Sequence, residues 1–169
     1  MADNNLTTLL PIFSQNLPVE DFDFAPRPPH KRFYLPKLSA RLLTRRIYLE
    51  MLKVIRAYGE LEALARANED KDTIRNLRNQ MEILSIAILN IYGQTAERNK
   101  VPFFLGGGIN LSRNYQTALD QMYDKVFHIH NMVFDLIGKS PNQQFANTLI
   151  VVYTNLKSQL RTLDKLQNN

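Results

Sequence analysis

The sequence contains no cysteine. That single absence removes disulfides, thiolate metal sites and thiol nucleophiles together, and it agrees with a reducing compartment. Long apolar runs are missing as well. The longest, residues 83–92, is interrupted by Ser85 and Asn90 and is far shorter than the roughly 20 residues a helix needs to span a bilayer. The chain opens Met-Ala-Asp-Asn-Asn, without the basic and apolar segments of a secretory signal, so a cytoplasmic location and no membrane partner are expected. No stretch of useful length alternates as a β-strand does. What is left is an ordinary composition: 169 residues, 44% hydrophobic and 22% charged, enough for one core without covalent staples.

Charge of one sign is scarce locally rather than globally. Residues 1–26 carry Asp3, Glu20, Asp21 and Asp23 and no base. Residues 27–57 carry Arg27, Lys31, Arg32, Lys37, Arg41, Arg45, Arg46, Lys53 and Arg56 against Glu50 alone, a net +8, whereas the remainder is near neutral. An acidic segment followed by a basic one either pairs within the chain or offers the bases to an acidic partner.

Residues 1–37 hold six of the eight prolines: Pro11, Pro18, Pro26, Pro28, Pro29 and Pro36. Proline fixes φ, removes a donor and pushes the preceding residue out of the helical region, so this stretch reads as an extended arm. Phe22, Phe24, Phe33 and Tyr34 stud it, and an arm carrying such side chains is expected to lie on a surface, its own or a neighbour's. From residue 38 to 169 the pattern is helical. Leu43, Ile47, Met51, Val54, Tyr58, Leu61 and Ala65 recur at spacings of three and four, with Ser39 as N-cap. Ile74, Leu77, Met81, Leu84, Ile88 and Ile91 form a second stripe after the break at 68–70. A third runs from Leu111 and Tyr115 through Leu119, Met122, Val126, Ile129, Val133 and Leu136 to Gly138, placed as a helix C-terminus. Ser140 as cap, Pro141 in the first position and Gln143 three beyond the cap open a fourth, with Phe145, Leu149, Val152, Leu156, Leu160 and Leu163. The expected fold is all-α: an antiparallel up-down four-helix bundle, helices about 39–67, 70–99, 110–138 and 141–167, entered through the arm. Phe103, Phe104 and Leu105 are expected to plug one end of it, before a flexible Gly106-Gly107-Gly108 turn.

Chemistry is harder to find. The triple glycine precedes a helix start but lacks the Lys-Ser/Thr of a phosphate loop, and no strand leads into it. His128 and His130 are two apart, about 200° around a helix, so they cannot share a metal; His128, one turn after Asp124, reads as a solvated pair. The Glu-x-x-His spacing of di-iron bundles is absent, and His30 reads as part of the basic arm. Carboxylates such as Glu50 and Asp124 sit near bases and read as outer-face residues, and Ser85 has no nearby histidine. No catalytic residue, cofactor or metal is expected.

Two faces exceed what one bundle explains. In the first helix Leu42, Leu49 and Leu52 fall roughly opposite the core stripe, beside Arg45 and Arg56; in the second, Ile83, Ile86 and Asn90 lie opposite Met81. Three arrangements would cover them: the arm folded back over helices one and two, a homo-oligomer, or a different protein. The expected function is therefore non-enzymatic structural or assembly work through protein–protein contacts, with self-association. Interface candidates are Leu42, Leu49, Leu52, Ile83, Ile86, Asn90, Phe22, Phe24, Phe33 and Tyr34. The alternative is a nucleic-acid-binding accessory protein that uses the 27–56 stretch, with Lys31, Arg32, Lys37, Arg41, Arg45, Lys53 and Arg56 along a phosphate backbone.

Overall fold

The computed structural model describes residues 24–32, 37–67, 109–140 and 142–168, together with 71, 72, 75, 76, 78, 79, 82, 83 and 86. Among the described residues there are three helices and no strand: α1 (Ala40–Ala67), α2 (Tyr115–Lys139) and α3 (Gln143–Gln167). The nine described residues between 71 and 86 are helical too. Most of the predicted 70–99 helix lies outside the described residues, as do the break at 68–70, the predicted plug at 103–105 and the glycine turn. Residues 24–32 and 37–39 are neither helix nor strand.

Helix ends follow local hydrogen bonding. Ser39 caps α1 as expected: its hydroxyl accepts from Leu42 N at 3.3 Å and its carbonyl from Leu43 N at 2.9 Å. The other two starts differ from the sequence reading. α2 begins at Tyr115 rather than near 110, because the Asn114 side chain accepts from Thr117 N at 2.9 Å and ends the irregular entry at 109–114. α3 begins at Gln143 with Asn142, not Ser140, as cap; the Asn142 side chain accepts from Phe145 N at 2.7 Å. Ser140 instead closes α2, its N–H reaching Ile137 O, and its hydroxyl donates to Asn142 O. Gly138 lies inside the last turn of α2 rather than beyond it.

The three predicted stripes that fall on α1, α2 and α3 become the core. Every stripe residue of α1 and α3 is buried, as are Leu119, Met122, Val126, Ile129, Val133 and Leu136 of α2, with Leu111 and Tyr115 packed at its margin. Burying each such side chain is worth about 1.5–3 kcal/mol, which is what draws the helices together. Register comes from polar contacts. The Lys139 ammonium donates to Leu38 O at 3.1 Å at one end of the α1–α2 pair, and Glu50 pairs with Lys125 near its middle, so the two run antiparallel. Asp120 meets Gln167 and His130 meets Tyr153, so α3 runs back along α2. Inside, the Tyr58 hydroxyl donates to Gln159 Oε1 at 2.7 Å, and Gln159 Nε2 donates to Asn155 Oδ1 at 2.8 Å. All three side chains are buried, and burial pushes the Tyr58 phenol well above its usual range.

Tyr58→Phe removes the donor and leaves the Gln159 carbonyl oxygen buried without it. Urea denaturation of this variant is expected to show a loss of about 1–3 kcal/mol. A loss within roughly 0.5 kcal/mol, the range of an ordinary surface substitution, would show that the bond does not stabilise the fold.

Candidate functional site

The outer face of α1 carries the residues the sequence singled out. Leu42 is 51% exposed, Leu49 and Leu52 are half-buried against the core, and Arg41, Arg45 and Arg56 are exposed. Ile86 is also exposed, at 43%, but Ile83 is only 5% exposed and belongs to the core. The expectation of Ile83 on an outer face is thus corrected; positions three apart on a helix are separated by about 60° around the axis, and the edge of the core falls between them. Asn90, Phe22, Phe33 and Tyr34 lie outside the described residues. Phe24 is half-buried against the core, with the Arg161 guanidinium 5.6 Å from its ring centre.

Residues 24–32 lie on α2 and α3. Arg27 Nη2 donates to Asp120 Oδ1 at 3.1 Å and to Gln167 Oε1 at 2.7 Å, while its Nε lies 3.4 Å from Asp164 Oδ1. The same guanidinium sits 3.7 Å over the Tyr123 ring, whose hydroxyl donates to Arg27 O at 2.9 Å. Gln167 Nε2 donates to Asp120 Oδ1, closing a ring of contacts. One helical turn on, Asp124 accepts from the backbone N–H groups of both His30 and Lys31, at 3.0 and 2.9 Å, and His30 Nδ1 lies 2.6 Å from Asp120 Oδ2. Partial burial opposes ionisation of Asp120, but the bonds from His30 and Gln167 and the nearby charges of His30 and Arg27 outweigh it and hold the carboxyl below its usual range. Burial pushes Tyr123 up to about 12. Arg27, Asp120 and Asp164 each keep more than a quarter of their side-chain surface in solvent, where an ion pair is worth about 0–1 kcal/mol. The arm is held specifically, by several modest contacts.

Next to this clamp the interior holds a charge that the sequence reading placed outside. Glu50 is buried, not solvated, and meets Lys125 of α2, with Lys53 at 3.5 Å and Arg46 at 3.7 Å. Burial raises the cost of its charge, yet the Lys125 bond and the charges of Lys125, Lys53 and Arg46 hold it below its usual range. Asp124 is also buried rather than on an outer face, its oxygens occupied by the arm's backbone. Both corrections share one reason: a carboxylate enters an interior when enough donors meet it, and the donors beyond the reach of local spacing, Lys125 for Glu50 and the His30 and Lys31 N–H groups for Asp124, come from other segments. Between arm, α1 and α2 opens a cleft of about 340 Å³ that brings Lys31, Lys53 and Lys125 together with Asp124, Gln121 and Asn110. Of the predicted basic residues only Lys31 and Lys53 line it; Arg32, Lys37, Arg41, Arg45 and Arg56 are exposed elsewhere.

A second feature was missed although its spacing is visible. Tyr123, Phe127, His130 and Phe134 recur at four, three and four along α2, beside the core stripe. Tyr123 stacks on Phe127 with ring centres 6.3 Å apart, Phe127 lies 5.7 Å from His130, and His130 stacks on Tyr153 of α3 at 4.3 Å. Phe134, 63% exposed, caps this series against Tyr153, with Ile150 exposed nearby along α3. Both histidines are buried, which corrects the reading of His128 as solvated. His130 Nδ1 lies 3.1 Å from Asn131 Oδ1, and its Nε2 meets no hydrogen-bonding group among the described residues. Burial, reinforced by the Lys157 charge and only partly offset by the Asn131 bond, pushes His130 down to about 4. Burial likewise lowers His128, helped by Lys125 and Arg46 and opposed by Glu50. Among the described residues no three His, Asp or Glu side chains gather to hold a metal ion, and no described helix is long and apolar enough to cross a membrane. The chain matches no protein-family model, and comparison with curated proteins and with solved structures finds no significant similarity.

The histidine burial has a consequence for pH. The folded-state pKa of His130, about 4, lies below its ordinary 6.5, so between those values the unfolded chain binds the proton more readily. The stability that His130 contributes is complete above about pH 6.5 and is lost as pH falls toward 4. His130→Phe keeps the ring stacking but cannot be protonated. It is expected to flatten the pH dependence of the unfolding free energy in this window by on the order of 2–3 kcal/mol. A profile that matches the wild type would exclude His130 as a source of acid lability.

Proposed function

We propose that the chain is a non-enzymatic structural or assembly protein that works through protein–protein contacts and associates with itself. Its frame is a four-helix bundle, with the helical residues between 71 and 86 belonging to the helix that follows α1. The observation that carries this reading is apolar surface on more than one face: Leu42 on α1, Ile86 on the following helix, and Phe134 with Ile150 and the half-buried Tyr153 on α2 and α3. Isolated exposed leucines are common on monomers. A phenylalanine left almost two-thirds exposed at the end of a continuous aromatic series is a surface that gains from being covered. Leu49 and Leu52 extend the α1 face inward from Leu42, beside Arg45 and Arg56.

One observation favours a second reading, a nucleic-acid accessory role. Arg32, Lys37, Arg41, Arg45 and Arg56 are exposed, and the last three share one side of α1. Such a stripe suits a phosphate backbone.

Light scattering on the purified chain is expected to give a discrete oligomer without nucleic acid. Leu42→Glu or Phe134→Glu should shift the mass to the monomer while leaving the helical circular dichroism unchanged. A wild-type monomer at every concentration would sink the assembly reading. For the second reading, single-stranded nucleic acid should bind at low salt and weaken by about tenfold or more between 50 and 200 mM salt. Arg41→Glu with Arg45→Glu should abolish that binding, and no binding at low salt removes this alternative.

A further inference from the structure

Three lysines that lie far apart in the chain meet in one place. Lys31 reaches the cleft from the arm, Lys53 from α1 and Lys125 from α2, and Asn110 and Gln121 line it beside them. Like charges brought into one cleft repel unless something offsets them. Two carboxylates lie close by, and both are engaged. Glu50 is buried against Lys125, with Lys53 at 3.5 Å. Asp124 gives one oxygen to the His30 N–H and the other to the Lys31 N–H. Lys31 itself is exposed, and among the described residues its ammonium meets no carboxylate. Three ammonium groups against two carboxylates leave the cleft one positive charge in excess.

The groups around it are held in position. The main chain of Lys31 is fixed on Asp124, and Lys125 is fixed by Glu50. Gln121 Oε1 accepts from Ser112 N at 2.8 Å, which orients the amide and leaves its Nε2 as a donor. Ammonium groups only donate, and a charged phosphoryl group, with several oxygens that only accept, matches such a set. The cleft, about 340 Å³, falls in the range of small-molecule sites, about 300–1,000 Å³. A nucleic-acid backbone is met by charges strung along a surface, as Arg41, Arg45 and Arg56 are on α1. These donors instead converge from three segments.

We propose that this cleft binds a small phosphorylated molecule, its phosphoryl oxygens received by Lys31, Lys53 and Gln121, with Lys125 adding positive field beside them. The site does not rest on the assembly reading, since none of Leu42, Ile86 and Phe134 lines it.

Pyrophosphate is the probe, titrated into the full-length chain by isothermal calorimetry at low salt in a buffer without phosphate. Saturable binding of one molecule per chain is expected, with a Kd of about 1 mM or tighter. Lys31→Ala should weaken it about tenfold, the loss of one charge-assisted contact, and Lys53→Ala should act in the same direction. Lys31 holds the arm through its backbone N–H, so its substitution leaves that contact in place. Lys125 is kept because its removal would strand the buried Glu50. Arg66→Ala removes the same charge about 20 Å along α1 from Lys53 and should leave the affinity within about twofold. No binding up to about 10 mM pyrophosphate overturns the proposal. Equal losses in Lys31→Ala and Arg66→Ala overturn it too, because they report attraction to net charge alone. A single-stranded oligonucleotide that binds, and is lost with Lys31→Ala, while pyrophosphate does not bind, assigns the cleft to a phosphate backbone and refutes the small-molecule site.

Discussion

The register of this protein depends on a short run of polar groups in its apolar interior. Leucine and valine stripes attract one another with little regard for position along the helix, so by themselves they allow α1 to slide against α3. The buried Tyr58 hydroxyl, Gln159 and Asn155 do not allow it. Each would be costly if left unpaired, and the Tyr58–Gln159 bond at 2.7 Å exists at one register only. Glu50 and Lys125 impose the same condition on α1 and α2. The core supplies the driving force, and these few pairs select the arrangement.

The arm obeys the same logic at the surface. Its position comes from matched groups: a planar guanidinium between two carboxylates on different helices, and two adjacent backbone N–H groups on one carboxylate. The acidic residues Asp3, Glu20, Asp21 and Asp23 lie outside the described residues. Bases at the end of the arm meet acids of the last two helices, and in doing so bring Lys31 toward Lys53 and Lys125.

The stripes of α1, α2 and α3 were legible residue by residue because helical periodicity is local: three- and four-residue spacing alone says which side chains share a face. Start positions were less so. Ser140 and Asn142 are competing caps two residues apart, and which one caps α3 depends on where α2 stops. The aromatic series Tyr123, Phe127, His130 and Phe134 was readable by the same rule and was passed over because the core stripe beside it already accounted for the helix. The candidate surface was partly legible. Leu42 and Ile86 are exposed as their spacing implies, whereas Ile83 turns inward.

The order of amino acids by itself determined that the three long described segments are helical, which side of each is buried, and that this sequence offers no thiol. Those properties depend on neighbours within a turn or two, or on composition alone. Tertiary structure decided the fate of the charges: that Glu50, Asp124, His128 and His130 lie inside, that Arg27 bridges two helices, and that Phe134 stays in solvent. The free energy of a charge is set by what surrounds it in space. The partners that surround these groups come from segments as many as 140 residues apart, a distance at which spacing along the chain carries no information.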